Sequence, residues 1–269
     1  MRIKVLGLPV DILNKEETFG VIEEWLRKGI KKPKMIVTAY SMFFVNASRD
    51  KDFARIVSKA DLVTPDGNSV LAAYKYAKLA KGKNIFQKLG LGLSVGWDIY
   101  SGSIGESVTG VWLFDKITSE AENHNWRIFL LGGMENVGRD AAKMLVERFP
   151  NIKVAYDEGE MKVGHDALAE KRAVDKINRF NPDFLFVQYN PIVQEKWIDS
   201  HLDNLNVGVA IGYGGTLDEF TGRLKSSPNW FERHGLKWLW RLYLQPSRWR
   251  RMVDAVIVFP WMVFKESLR

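Results

Sequence analysis

Residues 181–198 read NPDFLFVQYNPIVQEKWI. The apolar run Phe184–Val187 is too short for a helix and is bounded by Asn-Pro-Asp on one side and Gln-Tyr-Asn-Pro on the other, which predicts a strand. Beyond Pro191 a helix is predicted near 191–201, so Gln188 to Glu195 straddles a strand-to-helix turn.

The same rhythm recurs along the chain. Short β-branched or apolar runs stand at RIKVLGL (2–8), KMIVTAY (34–40), ADLVTPD (60–66), RIFLLGG (127–133), IKVAY (152–156) and NVGVAIG (206–212). Helical stretches are predicted between them near 50–59, 68–80, 112–124, 136–149 and 166–180. Asn14 and Glu17 fit a capping box for a first helix carrying Phe19, Ile22, Trp25 and Leu26. Strands alternating with helices predict an α/β fold, a Rossmann-like, mostly parallel sheet with helices on both faces. The opening RIKVLGL reads as its first strand.

Two regions break the rhythm. Residues 82–105 hold six glycines among apolar and aromatic residues, a composition that suits a mobile insertion better than a packed helix. An ordinary irregular insertion is the alternative. From Pro228 onward eight basic residues face three acidic ones, so most of the net charge of +7 lies there, with five of the ten tryptophans. The chain therefore divides into an α/β core over 1–222 and a basic, Trp-rich helical appendage over 223–269.

Several classes of chemistry lose ground. With no cysteine and four scattered histidines, neither a disulfide framework nor a thiolate or histidine metal site is expected. The phosphate-loop, nucleophile-elbow, HExxH and dinucleotide fingerprints are missing. The apolar run Val253–Phe264 is shorter than the roughly 20 residues a spanning helix needs and is interrupted by Pro260. The expected location is cytoplasmic and peripheral to a membrane.

Polar residues cluster where open α/β sheets bind ligands, at the carboxyl ends of strands. Thr38 ends the second predicted strand, Asp66-Gly67 the third, and Gly132-Gly133 the fourth. Asp66 is either a carboxylate at a cleft mouth, able to take a hydroxyl proton, or the cap of the next helix. Gly214 and Gly215, with Gly212 before them, either let backbone approach a diphosphate or make a tight turn, and Asp218 follows one turn later. Gly132 and Gly133 have the same two readings: a nucleotide turn or close packing.

In order and spacing, the segments LVTPDG, ESVTG (106–110), IFLLGG (128–133), NPDFLFVQYNPIVQEKWI and VGVAIGYGGTLDEFTGRLKSSPNWFERHGLKWLWRLYLQPSRWRR (207–251) resemble the WecG/TagA/CpsF glycosyltransferases (glycosyltransferase family 26) over nearly the whole chain. The resemblance implies inverting transfer of an N-acetylmannosamine-type sugar from a UDP-sugar to an undecaprenyl-diphosphate-linked saccharide in cell-surface polysaccharide biosynthesis, with no metal cofactor. By that likeness Asp66 is the base and Thr38 its polar neighbour. Gln194 and Asp218 face the nucleotide, and Arg241, Arg248 and Arg251 meet the diphosphate. Tyr40, Ser69 and Ser107 depart from the family pattern, the last where a phosphate-facing Arg is expected. These departures leave open a binding protein that keeps the fold without turnover.

For the appendage, tryptophans with Arg and Lys suit an in-plane membrane hairpin. Packing onto the same domain or burial in a homo-oligomer are the alternatives. Nucleic acid is not expected as a partner, because the Val253–Phe264 run is too apolar for a solvated groove and the core shows no RNA-binding module.

Overall fold

The computed structural model describes residues 1–133, 136–160 and 163–269. Elements follow in the order β1 (Arg2–Val5), β2 (Leu8–Asp11), α1 (Lys15–Arg27), β3 (Lys34–Ala39), α2 (Ser41–Arg49), α3 (Lys51–Lys59), β4 (Leu62–Pro65), α4 (Asn68–Leu79), α5 (Ile85–Tyr100) and α6 (Gly110–Glu120). The second half runs β5 (Arg127–Gly132), α7 (Val137–Arg148), β6 (Lys153–Asp157), α8 (Ala167–Phe180), β7 (Phe184–Gln188), α9 (Val193–His201), β8 (Val209–Gly212) and α10 (Thr216–Phe220). Four short helices finish it: α11 (Asn229–Arg233), α12 (Lys237–Leu244), α13 (Trp249–Val253) and α14 (Phe259–Ser267).

Six strands form one parallel sheet in the order β4-β3-β8-β7-β5-β6. Successive side chains leave a strand on opposite faces, and both faces here are apolar and covered. Val37, Leu185, Val187 and Ala210 join the cluster containing Phe43, Phe53 and Trp197, on the side of α2, α3 and α9. Ile36, Phe184, Phe186 and Ile211 join the opposite cluster, with Phe114, Ile117 and Leu145 from α6 and α7. The expected α/β sheet with helices on both faces is therefore present. The Asn14–Glu17 capping box at α1 is present as read.

Three features differ from the sequence expectation. The opening segment is not a strand of the main sheet: β1 and β2 form an antiparallel hairpin of their own. Leu6 and Gly7 both have positive φ, 47° and 81°, as a tight two-residue hairpin turn requires. The hairpin is moored to the outer strand of the main sheet, because buried Asp11 accepts a hydrogen bond from the Val63 N–H at 2.8 Å.

Residues 82–105 are likewise not irregular, since most of them form the 16-residue helix α5. Asn84 and Gln87 close a capping box at its start, and Val95 is buried on its inner face with Leu91 and Ile99 packed against the core beside it. The capping box starts the helix and packing offsets the roughly 1 kcal/mol that each interior glycine costs.

Residues 41–49, which carried no helical expectation, form α2, and that helix is covered by the end of the chain. Phe259 packs on Phe44 with ring centroids 5.4 Å apart, and both are buried. Arg49 pairs with Asp254 at 2.9 Å. The terminal segment is helical as expected. A π-helical turn at Asp254–Val258 runs unbroken into α14, with the Phe259 N–H on the Asp254 carbonyl, and this wider turn lies where Pro260 has no N–H to give. Among the described residues no helix is long and apolar enough to cross a membrane.

Candidate active site

The carboxyl ends of β4, β3, β8 and β7 lie side by side, and the polar residues singled out at those ends meet there. Backbone bonds fix the first wall. The Asp66 N–H donates to the Ala39 carbonyl at 2.9 Å, tying the end of β4 to the end of β3. The Val108 N–H donates to the Pro65 carbonyl at 3.1 Å, and the Thr64 hydroxyl donates to the Val108 carbonyl at 3.1 Å. These bonds bring the start of α6 over the strand ends. There the Gly110 N–H donates to Asp66 Oδ2 at 3.4 Å. Thr109 caps the helix through its own hydroxyl, which accepts from the Trp112 N–H at 3.1 Å.

Asp66 is thus held at the positive end of a helix, and part of its surface still faces the cleft. Protein atoms crowd it otherwise, and burial raises its pKa from 3.8 to about 6 against the opposing pull of the Gly110 N–H, Lys237 and Arg241. Thr38 is buried beside it and donates to the Gly212 carbonyl at 3.3 Å. A Cβ on Gly110 would stand 3.5 Å from Thr38 Oγ1 and 3.5 Å from Tyr213 Cβ, so these three residues share one contact point.

The second wall comes from β7, β8 and the turns after them. Gln188 bridges one acceptor and one donor: its Nε2 donates to Asp218 at 3.1 Å and its Oε1 accepts from the Leu217 N–H at 3.0 Å. Gln194 does not project into open space. It is buried, its Oε1 accepts from the Gly214 N–H at 3.0 Å, and its Nε2 donates to Glu195 at 2.7 Å. Gln194 therefore shapes the Gly214-Gly215 loop from behind. The α-carbon of Gly214 faces open space at φ 56°, whereas that of Gly215 lies toward the Asp218 carboxylate. Burial raises the Asp218 pKa, with Arg223, Arg241 and Arg248 pulling the other way.

Gly132 and Gly133 answer to the close-packing reading. A Cβ on Gly132 would come within 2.5 Å of the Gln188 carbonyl oxygen, and one on Gly133 within 3.2 Å of Val137.

The terminal helices supply the third wall. Arg241 pairs with the largely buried Glu219, which Lys237 also approaches at 3.5 Å. Burial, and then the charge of Arg248, lower the Arg241 pKa to about 10, while Asp218 and Asp66 both act to raise it. One guanidinium thus lies within the field of both carboxylates. Arg248 is lowered by burial and by Arg251. Tyr40 is pushed up to about 12 by burial, with Arg251 and Arg248 opposing and Glu195 and Asp66 adding to the rise. The residue that departs from the family pattern after Thr38 is therefore inside the charge cluster.

Glu195 escaped the sequence reading. It is fully buried, and burial lifts its pKa to about 7 although it accepts from Gln194 and from the Ile192 N–H at 2.7 Å. The only hint in the sequence is an acid directly after the glutamine of a Pro-x-x-Gln turn. A second hollow, between α6, α7 and α10, is lined by Phe114, Asp115, Arg148 and Phe220 and shares Thr216 and Glu219 with this region. It lacks the convergence of strand ends and arginines, which is why the strand-end cleft is the candidate site.

A buried carboxylate poised near neutrality, opposite several arginines, can remove a proton on one side of a ligand and meet negative charge on the other. Comparison with known proteins agrees with such chemistry. The profile of the Glycosyl transferase WecG/TagA/CpsF family matches residues 3–87 and 76–269. A Bacillus subtilis (strain 168) protein named N-acetylglucosaminyldiphosphoundecaprenol N-acetyl-beta-D-mannosaminyltransferase is 28% identical over 223 residues, 82% of this chain and 75% of that one. The Bacillus spizizenii protein of the same name is 29% identical over 224 residues, 83% of this chain and 76% of its own. A Staphylococcus aureus (strain MRSA252) protein, again of that name, is 23% identical over 266 residues, 98% of this chain and 92% of its own.

Proposed function

The chain belongs to the WecG/TagA/CpsF family of glycosyl transferases, and we propose that it moves an N-acetylmannosamine-type sugar from a UDP-sugar to an N-acetylglucosaminyl group on undecaprenyl diphosphate, in cell-surface polysaccharide biosynthesis. The observation that carries this reading is the convergence at one sheet edge of Asp66, which accepts from the Gly110 N–H at 3.4 Å, and Asp218, which accepts from Gln188 at 3.1 Å, with Arg241 of the terminal helices paired to Glu219, the residue after Asp218.

In the proposed step the acceptor hydroxyl oxygen bonds to the anomeric carbon as the bond from that carbon to the UDP oxygen breaks, with inversion. The hydroxyl proton passes to Asp66, whose pKa of about 6 leaves it mostly ionised at pH 7 and still basic enough to accept it. Thr38 keeps its position on the β3–β8 seam and orients the sugar or acceptor. Gly214, Gly215 and Asp218 hold the nucleotide, and Gln194 contributes by fixing the loop they sit on. The negative charge that develops on the departing diphosphate meets Arg241, Arg248 and Arg251, so the reaction runs without a metal. These arginines take the place of the cation missing at Ser107.

The lipid-linked acceptor and the Trp- and Arg-rich terminal helices support a peripheral protein on the inner face of the plasma membrane. The test is UDP release from a panel of UDP-N-acetylhexosamines with a short-chain diphosphate-linked GlcNAc acceptor, comparing wild type with Asp66→Asn. Acceptor-dependent release that drops by about 10²- to 10⁴-fold in the variant is expected. Equal release from both proteins would remove Asp66 from the mechanism.

A further inference from the structure

Helix α5 is apolar on two faces. Its inner face sets Leu91, Val95 and Ile99 against the core. Its outer face carries Phe86, Leu89, Leu93, Trp97 and Tyr100, three or four residues apart and so on one stripe. Phe86 and Leu93 are each 80% exposed and Trp97 66%. A helix at the surface of a water-soluble protein normally turns its polar side outward, and a contiguous apolar stripe of this size marks a surface that something covers.

Two observations say what covers it. The first is charge. Residues 74–105 hold five lysines and one acid, Asp98, and Lys75 takes that acid at 2.9 Å. Lys78, Lys81 and Lys83 stay exposed just ahead of α5, so a second copy of the chain would add more positive charge beside the stripe, whereas anionic headgroups complement it.

The second is continuity. At its start, α5 reaches the end of the chain: Lys88 donates to the Ser267 carbonyl, and Tyr76 of α4 bridges Lys88 and Ser267. The adjoining terminal helices carry their own exposed stripe, Val253, Ile257 and Trp261, each four residues after the last. At its other end, α5 meets α11, with the Tyr100 and His234 rings 5.0 Å apart. Gly235, just after α11, fits between Ile99 and Asn68, two residues beyond Asp66. The outer stripe therefore runs from the terminal helices to the rim of the Asp66 cleft.

We propose that α5 is a membrane-contacting helix that lies in the boundary layer of an anionic bilayer, its outer stripe among the acyl chains, and holds the cleft mouth at headgroup depth. This rests on the reading that the acceptor is lipid-linked. It adds a contact surface outside the Trp-rich terminal segment and assigns a use to the glycine-rich stretch at 82–105.

The chain has no cysteine, so Leu93→Cys carries a single environment-sensitive fluorophore, and Lys143→Cys on α7 serves as a control. Full-length labelled protein is titrated with vesicles of phosphatidylglycerol and phosphatidylcholine, with and without doxyl-labelled acyl chains. The label at 93 is expected to shift to the blue and be quenched by the doxyl lipid, while the label at 143 does neither. A label at 93 that stays in water on bound vesicles overturns the proposal. So does a blue shift that appears without vesicles and grows with protein concentration, because a second copy then covers the stripe.

The double variant Leu93→Glu/Trp97→Glu is expected to lose tenfold or more in vesicle affinity, and unchanged affinity also overturns the proposal. UDP release with a water-soluble short-chain acceptor is measured on the same variant and should match wild type. That assay reports the transferase reading separately, so a failed docking helix and a failed transferase give different results.

Discussion

Replacing Asp66 with Asn should stabilise the fold while removing the activity, and the gain should depend on pH. Burial lifts the Asp66 pKa from 3.8 to about 6. Between those values the folded chain keeps a proton that the unfolded chain has released, so stability falls as pH rises through that window and is level above it. Each unit corresponds to about 1.36 kcal/mol, which sets a ceiling of about 3 kcal/mol at neutral pH. Water that reaches the carboxylate through the cleft lowers this, leaving between about 1 and 3 kcal/mol. The Asn side chain does not titrate and keeps an oxygen that can accept from the Gly110 N–H. Urea unfolding of both proteins from pH 4 to pH 8 should show the gap between variant and wild type opening between about pH 4 and pH 6.5 in favour of the variant. In melting temperature at pH 7.5 the gain is roughly 2 to 10 °C. A gap that is constant with pH, or a variant less stable than wild type at pH 7.5, would refute the claim that Asp66 is held ionised against its burial.

Two other perturbations separate packing from chemistry. Gly132→Ala places a Cβ within 2.5 Å of the Gln188 carbonyl at φ 88° and should cost about 2 to 4 kcal/mol in urea unfolding, whereas Gly214→Ala, at φ 56° with open space around it, should cost only about 1 kcal/mol. Arg241→Met should lower kcat/KM by about 10²- to 10³-fold. It should also move the acid limb of the kcat/KM profile to higher pH, since Arg241 helps keep Asp66 ionised, with Arg241→Lys recovering part of both.

The parallel sheet was legible because its strands are covered on both faces and therefore read as short unbroken apolar runs, of which FLFV is the plainest. The nearness of Thr38 to Asp66 was legible because polar residues at the ends of such runs fall on one edge of the sheet. What stayed hidden depends on neighbours far apart in sequence. The Thr38–Gly212 bond spans 174 residues and exists only because β8 inserts beside β3. The same insertion brings Tyr40 and Glu195 into one charge cluster. The family likeness sets Gln194 toward the nucleotide, but only the fold shows its amide turned inward on Gly214 and Glu195. The hairpin was missed because Leu6 gives no sign that it adopts positive φ. The helix at 85–100 was missed because six glycines outweighed a capping box that was in plain view at Asn84 and Gln87.

The packing of Phe259 on Phe44 and the pairing of Arg49 with Asp254 join residues more than 200 positions apart. Contacts of such long range form late, because the loop they close must first be ordered. Until they form, α2 lacks its cover and Arg241, brought in by the same terminal stretch, has no fixed place opposite Asp66. The convergence of Asp66, Asp218 and Arg241 is thus tied to closure of the chain end onto α2: the sheet alone can set the two carboxylates in place, but the arginines arrive only with the terminal helices.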